Sequence, residues 1–391
     1  MPDGTEPIEL KLVEDISALD PGQWDQCVYG ADTPPGSPFL SYAFLNALEL
    51  SKSATGDTGW LPRHLTMQDD AGNLLAAAPL YVKNHSQGEY VFDHNWAHAY
   101  ENAGGHYYPK LQCAVPFSPV TGPRLLAPAN ISDRKGRLQS LSAGLIEITR
   151  QMNLSSLHVT FCTEEDAALL EESGFLIRHD HQFHWENHGY EDFDDFLGAL
   201  NSRKRKNIRK ERRAIADQGI STEALTGDAI EPAHWDAFYR FYVDTYDRKW
   251  GYPYLTREFF DRLSASMADR TVLILAFREG RPIAGAINFC DDNALYGRNW
   301  GCIEDHKFLH FETCYYAAID FAIQRGLKRV EAGTRGPHKL QRGYVPHRTF
   351  SAHWIENDSF RSAVARFLEE ERELEAREAE ALKDYAPFRK S

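Results

Sequence analysis

His310 and Glu312 stand at the start of an amphipathic helix predicted over 311–325, and Tyr315 and Tyr316 follow one turn in. Glu331 lies on the strand predicted next, and His338, Lys339 and Arg342 occupy a loop bracketed by Gly336 and Gly343. Imidazole, carboxylate, phenol and ammonium are the groups that move protons near neutral pH. Coming from three successive elements, they converge on one end of a sheet, where α/β folds place their sites. The apolar stripe of the helix runs through Phe311, Tyr315, Ala318, Ile319, Ala322 and Ile323. Tyr315 therefore reads as core, and Tyr316 is the better acid. Plainer roles exist for the others: Glu312 would complement the positive end of the helix dipole, and His338 and Lys339 would sit on an exposed loop.

Four further groups carry chemistry. The run from Asp93 to Lys110 is dense in rings and imidazoles. Trp96, Tyr100, Tyr107 and Tyr108 could wall a cleft, with Lys110 and Arg124 binding a carboxylate or phosphate; equally, these aromatics could pack at a domain interface. Arg298, Trp300 and Arg342 are the substrate-binding candidates of the second half. His179, His181, His184 and His188 raise the question of a metal, since His179 and His181 would share one face of a strand. No cysteine or acid cluster completes a tetrahedral set, so no metal is expected. Eight basic residues lie between Arg203 and Arg213 with only Glu211 opposing them. Arg203, Lys204, Arg205, Lys206 and Arg209 are the candidate contacts to phosphates of a polyanionic or nucleotide ligand. The alternative is a solvated helix neutralised by the acidic C-terminal helix.

These residues are held by two similar series of elements. The first has a strand at 9–13, helices at 17–27 and 42–51 separated by a Pro/Gly-rich loop at 33–38, strands at 64–68 and 74–82, an irregular stretch over 89–127, a helix at 138–151, a strand at 156–161, a helix at 164–173 and a strand at 175–185. The second has helices at 193–218, 230–249 and 259–267, strands at 272–278, 283–291 and 293–301, the helix at 311–325, a strand at 329–332 and a charged helix at 359–385. Each series runs helices, hairpin, helix, strand, which reads as a duplicated α/β unit.

The composition sets the bounds. The chain has 391 residues, 42% of them apolar and 26% charged, which fits two globular domains. With 57 acidic against 43 basic residues the net charge is −14, so a polyanion must be met by a local patch. The N-terminus lacks the pattern of a signal peptide, no apolar run reaches a membrane-spanning length, and the six cysteines form no CxxC pair. A cytoplasmic enzyme with reduced thiols is expected.

Hairpin then helix, used twice, is the plan of the GNAT acyltransferase fold in tandem. Two blocks extend the likeness. One runs from Pro79-Leu-Tyr-Val-Lys to Asp93, through Tyr107-Tyr-Pro-Lys-Leu-Gln, to Val115-Pro-Phe-Ser-Pro-Val-Thr-Gly-Pro-Arg-Leu-Leu126. The other joins His310-Phe-Glu-Thr-Cys-Tyr-Tyr, Glu331-Ala-Gly-Thr-Arg-Gly-Pro-His-Lys-Leu-Gln-Arg-Gly343 and Ser351-Ala-His-Trp354. Together they resemble the FemAB-like family, GNAT-fold proteins labelled for peptidoglycan biosynthesis or recognition, over nearly the whole chain. The basic helix from Asn201 to Arg213 also resembles the Fem-type aminoacyltransferases, which move an amino acid from tRNA to a peptidoglycan precursor peptide.

The resemblance implies an α/β fold of two tandem GNAT-like domains, mixed sheets flanked by helices. Domain 1 (1–188) would be the recognition side and domain 2 (189–391) the donor side, the latter carrying the basic helix 197–218 and the C-terminal helix 359–385. It implies transfer of an aminoacyl group from tRNA, or an acyl group from CoA, to an amine of a small-molecule or peptide acceptor held between the halves, with no permanently bound cofactor. A catalytically degenerate module that recognises a cell-wall peptide is the rival. Acyl transfer needs a deprotonated amine, a stabilised oxyanion and a proton for the leaving group. Residues 301–310 and 130–137 both lack the Gly-rich pyrophosphate loop of acetyl-CoA users, which counts against that donor.

Overall fold

The computed structural model describes residues 9–30, 36–248, 251–333, 336–383 and 387–389. Residues 33–35 of the expected loop, Lys249, Thr334, Arg335 and residues 384–385 of the expected terminal helix lie outside them. In chain order the elements are β1 (Glu9–Val13), α1 (Pro21–Tyr29), α2 (Tyr42–Leu50), β2 (Leu61–Pro62), β3 (His64–Gln68), β4 (Leu74–Ala78), β5 (Leu80–Lys83), α3 (His94–Asn102), β6 (Lys110–Cys113), α4 (Arg134–Gln151), β7 (Ser156–Cys162), α5 (Glu164–Glu172) and β8 (Leu176–Glu186). Then come α6 (Phe193–Ala199), α7 (Ser202–Ala216), β9 (Ile220–Thr226), α8 (Pro232–Arg248), α9 (Arg257–Ser266), β10 (Thr271–Arg278), β11 (Arg281–Cys290), β12 (Ala294–Cys302), α10 (Leu309–Phe311), a π-helical turn (Glu312–Tyr316), α11 (Ala317–Gln324), β13 (Arg329–Glu331), β14 (Tyr344–Ile355) and α12 (Asp358–Lys383).

Two compact units form. The first holds the described residues up to 30, Phe39–Asp180 and Arg348–Ala376; the second holds Gly36–Pro38, His181–His347 and the described residues from Arg377 on. This differs from a single cut at 188/189. Strands β8 and β14 each pass from one unit into the other, and most of α12 belongs to unit 1. There Val364 and Leu368 pack with Trp96, Tyr107 and Ile355, apolar partners that its charged sequence does not reveal.

In unit 1, β1, β3 and β4 make one antiparallel sheet, and β2, β5, β6, β7 and β14 follow one another in a second. Pro79 separates β4 from β5: the first half of this run pairs with β3 and the second with β6. Leu65, Leu80, Leu111, Leu141, Leu157 and Trp354 centre the core. In unit 2 the order is β8, β13, β12, β11, β10, β9. Helix α8 packs so closely on β12 that a Cβ at Gly301 would lie 2.2 Å from the Phe241 carbonyl oxygen. Phe196, Ile319, Val330 and Tyr344 centre this core.

Local chemistry explains the differences from expectation. The helix expected over 193–218 is two, because the Asn201 side chain accepts the Lys204 N–H at 3.0 Å and starts α7 afresh. Residues 89–127, expected to be irregular, contain α3 and β6. The Lys-Leu-Gln-Cys of β6 alternates polar and apolar over only four residues, yet all four are buried. Strands β9 and β14 were not expected; β14 carries Pro346, His347 and Arg348 in its first half, which masks its period.

Candidate functional site

In unit 2, β12 and β13 run parallel through only three pairs, ending at Tyr296 opposite Glu331. The ladder between β11 and β12 slips at the same level. Ile287 pairs with Asn299 and Asn288 with Gly297, which leaves Arg298 as a bulged residue. The two departures open a cleft of about 90 Å³ lined by Asn288, Gly297–Trp300, His310, Cys314, Tyr315 and Ala332. The π-helical turn carries both phenols, and Tyr315 is the one that lines the cleft. Tyr315 Oη lies 3.0 Å from His338 Nε2, and the His310 ring meets the Tyr315 and Trp300 rings edge-on. Burial raises the Tyr315 phenol above its usual range, while burial and then Arg342 lower His338.

Tyr316 is fully buried and donates to Glu211 on α7. Arg342 pairs with the same Glu211 carboxylate at 2.9 Å, bonds the His338 carbonyl at 2.8 Å and stacks 3.5 Å from the Phe311 ring centre. Glu312, expected to be catalytic, is buried and ion-paired to Arg212 at 3.0 Å, with Asp320 sharing that arginine. Burial raises the Glu312 carboxyl against the pull of Arg212. Three of the expected residues thus brace the helix instead of facing the cleft. Lys339 is buried, its ammonium donates to the Gly333 carbonyl at 3.0 Å, and burial lowers it to about 8. Glu331 sits where the strands part, 5% exposed, with Oε1 held by Arg329 Nε at 2.8 Å. Burial raises its carboxyl, and Arg329 opposes the rise.

Next to the cleft, residues 302–311 line a second hollow with Trp300. Glu304 there bonds His306 at 2.9 Å and pairs with Arg278 at 3.3 Å. On α7, Arg209 pairs with Asp194 and Lys204 bonds Gln341. Arg203, Arg205, Lys206, Lys210 and Arg213 make no ion pair among the described residues.

Unit 1 places its candidates differently. Lys110 is fully buried and donates to Ser86 and Glu89, each at 2.8 Å, and to Asp93. The Tyr107 hydroxyl donates to Asp93 at 2.7 Å. His158 and His353 face each other Nδ1 to Nδ1 at 2.7 Å. Burial, only partly offset by Lys110, lifts Glu89 to about 7; burial lowers His158 to about 3. Burial also brings Lys83, 3.7 Å above the Trp60 ring, down to about 7. Trp96 and Tyr107 are buried against Ile355 and Val364, with Tyr100 and Tyr108 partly buried beside them. Arg124 is 1% exposed, and its guanidinium donates to the carbonyls of Thr160, Gly122, Pro123 and Val120. Lys110 uses its three donors inside, and buried Arg124 uses four of its five on backbone carbonyls, so neither faces a substrate anion. Among the expected histidines, His179 packs edge-on against Phe350 in unit 1 and His184 stacks on His347 in unit 2. Among the described residues, no three His, Cys, Asp or Glu side chains cluster to hold a metal, and no helix is long and apolar enough to cross a membrane.

Two residues escaped the sequence reading. Tyr315 was set aside by its place on the apolar stripe, and His184 was weighed as a metal ligand or as a hydrogen-bonded residue of a strand pairing at a domain border. Cross-strand pairing of His184 with Glu331 was the signal, and it needs the register of β8 against β13.

Several solved structures share this architecture. FemX matches with a TM-score of 0.54 and 13% identity, over 89% of this chain and 98% of FemX. The C-terminal (DUF2156) domain of a putative lysylphosphatidylglycerol synthetase from Agrobacterium fabrum matches at 0.50 and 10% identity, over 88% and 94%. L-PGS from Bacillus licheniformis matches at 0.50 and 8% identity, over 86% and 99%. At these identities the likeness is one of fold. No curated protein sequence matches the chain. The mixed α/β architecture with its large mixed sheet is the fold shared with FemX. The FemAB-like model, described as peptidoglycan biosynthesis/recognition, matches residues 15–390, and the chain belongs to the FemAB-like family.

Proposed function

We propose that the protein is an N-acyltransferase of Fem type, which moves an aminoacyl group from tRNA onto an amine of a peptide or small molecule. The observation that carries this reading is the parting of β12 and β13 beside a bulge, with Glu331 at the vertex. Backbone amides of residues 297–299 would meet the oxyanion. Tyr315, bonded to His338, would protonate the leaving ribose oxygen, and Glu331 would take the proton of the acceptor amine. Arg298, Trp300 and His310 would shape the substrate channel, and the Lys339 amine, lowered to about 8, would keep the loop at 336–343 in place through Gly333.

Two features favour tRNA over acyl-CoA. The hollow where a CoA pyrophosphate would lie carries Asp305 and Glu304 beside Lys307, with Glu304 paired to Arg278 and His306, a mixed lining rather than a set of donors for a diphosphate. The five basic residues of α7 that make no ion pair among the described residues form a patch on a chain of net charge −14, suited to a polynucleotide backbone. Fold likeness to FemX and to a protein named for placing lysine on phosphatidylglycerol agrees with an aminoacyl donor. Unit 1 would serve acceptor recognition, and six free thiols fit a cytoplasmic setting.

Calorimetric titration with acetyl-CoA and CoA, beside filter binding of aminoacyl-tRNA, tests the donor. We expect tRNA binding that weakens steeply with salt and no heat from CoA. Micromolar binding of acetyl-CoA, about −8 kcal/mol, without tRNA binding would replace the donor with acyl-CoA.

A further inference from the structure

Glu331 and His184 are a cross-strand pair of β13 and β8. Both are almost wholly buried, at 5% and 3% exposure. One atom of each points at the other: Glu331 Oε2 and His184 Nε2 lie 3.7 Å apart, and neither has a hydrogen-bond partner among the described residues. Glu331 Oε1, by contrast, is fixed by Arg329. The other face of the His184 ring is fixed as well, stacked on exposed His347 with ring centres 4.6 Å apart and planes 23° from parallel. A buried carboxylate oxygen left alone costs free energy, and so does a buried imidazole nitrogen. Among the described residues, the ion pair recorded for these two atoms is with each other.

Strand alternation sets where this pair acts. Val330 packs in the core with Tyr315 and Ile319, so Glu331 emerges on the opposite face of the sheet, at the last pair before the cleft. Its neighbours Gly297 and Ala332 line that cleft. A carbonyl held in the cleft would be reached by an amine arriving from the face that Glu331 occupies.

We propose that His184 is a positioning residue for Glu331, holding one proton between Nε2 and Oε2 so that Glu331 can accept the proton of an acceptor ammonium and pass it on. This rests on the acyl-transfer reading above. The step balances. The ammonium gives one proton to Glu331, and its nitrogen attacks the carbonyl carbon of the ester. The bond from that carbon to the ribose oxygen breaks, and the oxygen leaves with the Tyr315 proton. The second nitrogen proton, lost as the amide forms, restores Tyr315. One proton per turnover remains on Glu331 and must return to water.

The charged and titratable groups facing Glu331 are Arg329 on its own strand, Arg298 on β12, Asp291 in the β11–β12 turn and His184 on β8. Those facing His184 are Glu331, His347 on β14, Arg329 and Lys339. Burial and then His347 hold His184 well below the usual imidazole range, so it is neutral and can donate through Nε2.

The test is a carbon NMR titration of the full-length protein carrying labelled glutamate side chains, with E331Q identifying the Glu331 signal. His184→Leu should raise the Glu331 titration by about one pH unit, a tenfold change in proton affinity. His184→Asn, which keeps an N–H donor, should restore most of it. The same His184→Leu protein should show the acidic limb of its turnover profile moved upward by the same amount. An unmoved Glu331 signal in both variants overturns the proposal. The NMR arm needs no donor, so a moved signal in a protein that transfers nothing keeps the pairing and discards the acyl-transfer reading instead.

Discussion

In unit 1, β6 and β7 run parallel over Leu111–Cys113 and Leu157–Val159 and then separate; in unit 2, β12 and β13 do the same after Tyr296 and Glu331. The openings are used in opposite ways. Beyond Cys113 every residue from Ala114 to Val120 is buried, and Arg124 bridges the gap, bonding Thr160 on β7 and Val120 and Gly122 on the facing segment. Gln112 adds a bond to Thr160 at 2.8 Å. Beyond Tyr296 the bulge at Arg298 and the π-helical turn instead keep polar groups around a void. One geometry thus serves as a sealed core where a guanidinium satisfies the parted strands, and as a cleft where they are left for a ligand. Charge follows the same division. In unit 1 Lys110, Asp93 and Glu89 satisfy each other inside, whereas in unit 2 the cations of α7 stay outside.

Breaking the seal should have the largest effect. Arg124→Met leaves the parted carbonyls unmet and should cost about 3 kcal/mol or more in urea unfolding, with ligand binding by unit 2 intact in the folded fraction. An unchanged unfolding midpoint would remove the plug from the account. Next, replacing Arg203, Arg205 and Lys206 together with Gln should weaken tRNA binding. It should also flatten the slope of log affinity against log salt by about 2, at roughly 0.7 per phosphate on a single strand; an unaltered slope would move the polyanion site off α7.

A smaller effect separates the two phenols. Tyr315→Phe should slow transfer about tenfold to a hundredfold while stability moves by no more than about 1 kcal/mol. Tyr316→Phe should cost about 1–3 kcal/mol by leaving Glu211 without its donor, and turnover should hold. Reversal of that pattern would restore Tyr316 to the cleft. The smallest effect is a pH slope in unit 1. The Lys83 amine titrates near 7 in the folded chain because it is buried, but near its ordinary value once unfolded. Between about pH 7 and pH 10 the unfolded chain binds the extra proton, so this group makes stability rise with pH, by up to ~1.4 kcal/mol per unit. Lys83→Met should remove that rise. Equal slopes in the two proteins would show that Lys83 stays charged when folded.

Much of the fold was legible in the sequence. Hairpins such as β10–β11, with Glu279 and Gly280 at the turn, follow from alternation and turn chemistry. The caps of α2 and α5 follow from Ser41 and Thr163. Repetition of the element order pointed to two like units, and the motif blocks pointed to the family. The candidate site was legible as a neighbourhood: His310, Glu331 and His338 were singled out from their types and spacing, and the structure brings His338 onto Tyr315 beside His310.

Tertiary structure decided the assignments within that neighbourhood. Tyr315 lies in the core as its place on the apolar stripe implies, but that it also borders a cleft, while Tyr316 meets Glu211, depends on how distant strands part beside it. Residue type cannot tell a cation that binds substrate from one that bonds its own backbone, so Lys110 and Arg124 turned inward. His184 meets Glu331 only through the register of two strands that lie 145 or so residues apart in the chain. Local patterns fix which backbone states each segment prefers, because those depend on neighbours a few residues away. Burial, partner and protonation depend on contacts that form only once distant segments have packed, and these are what make one opening a seal and the other a site.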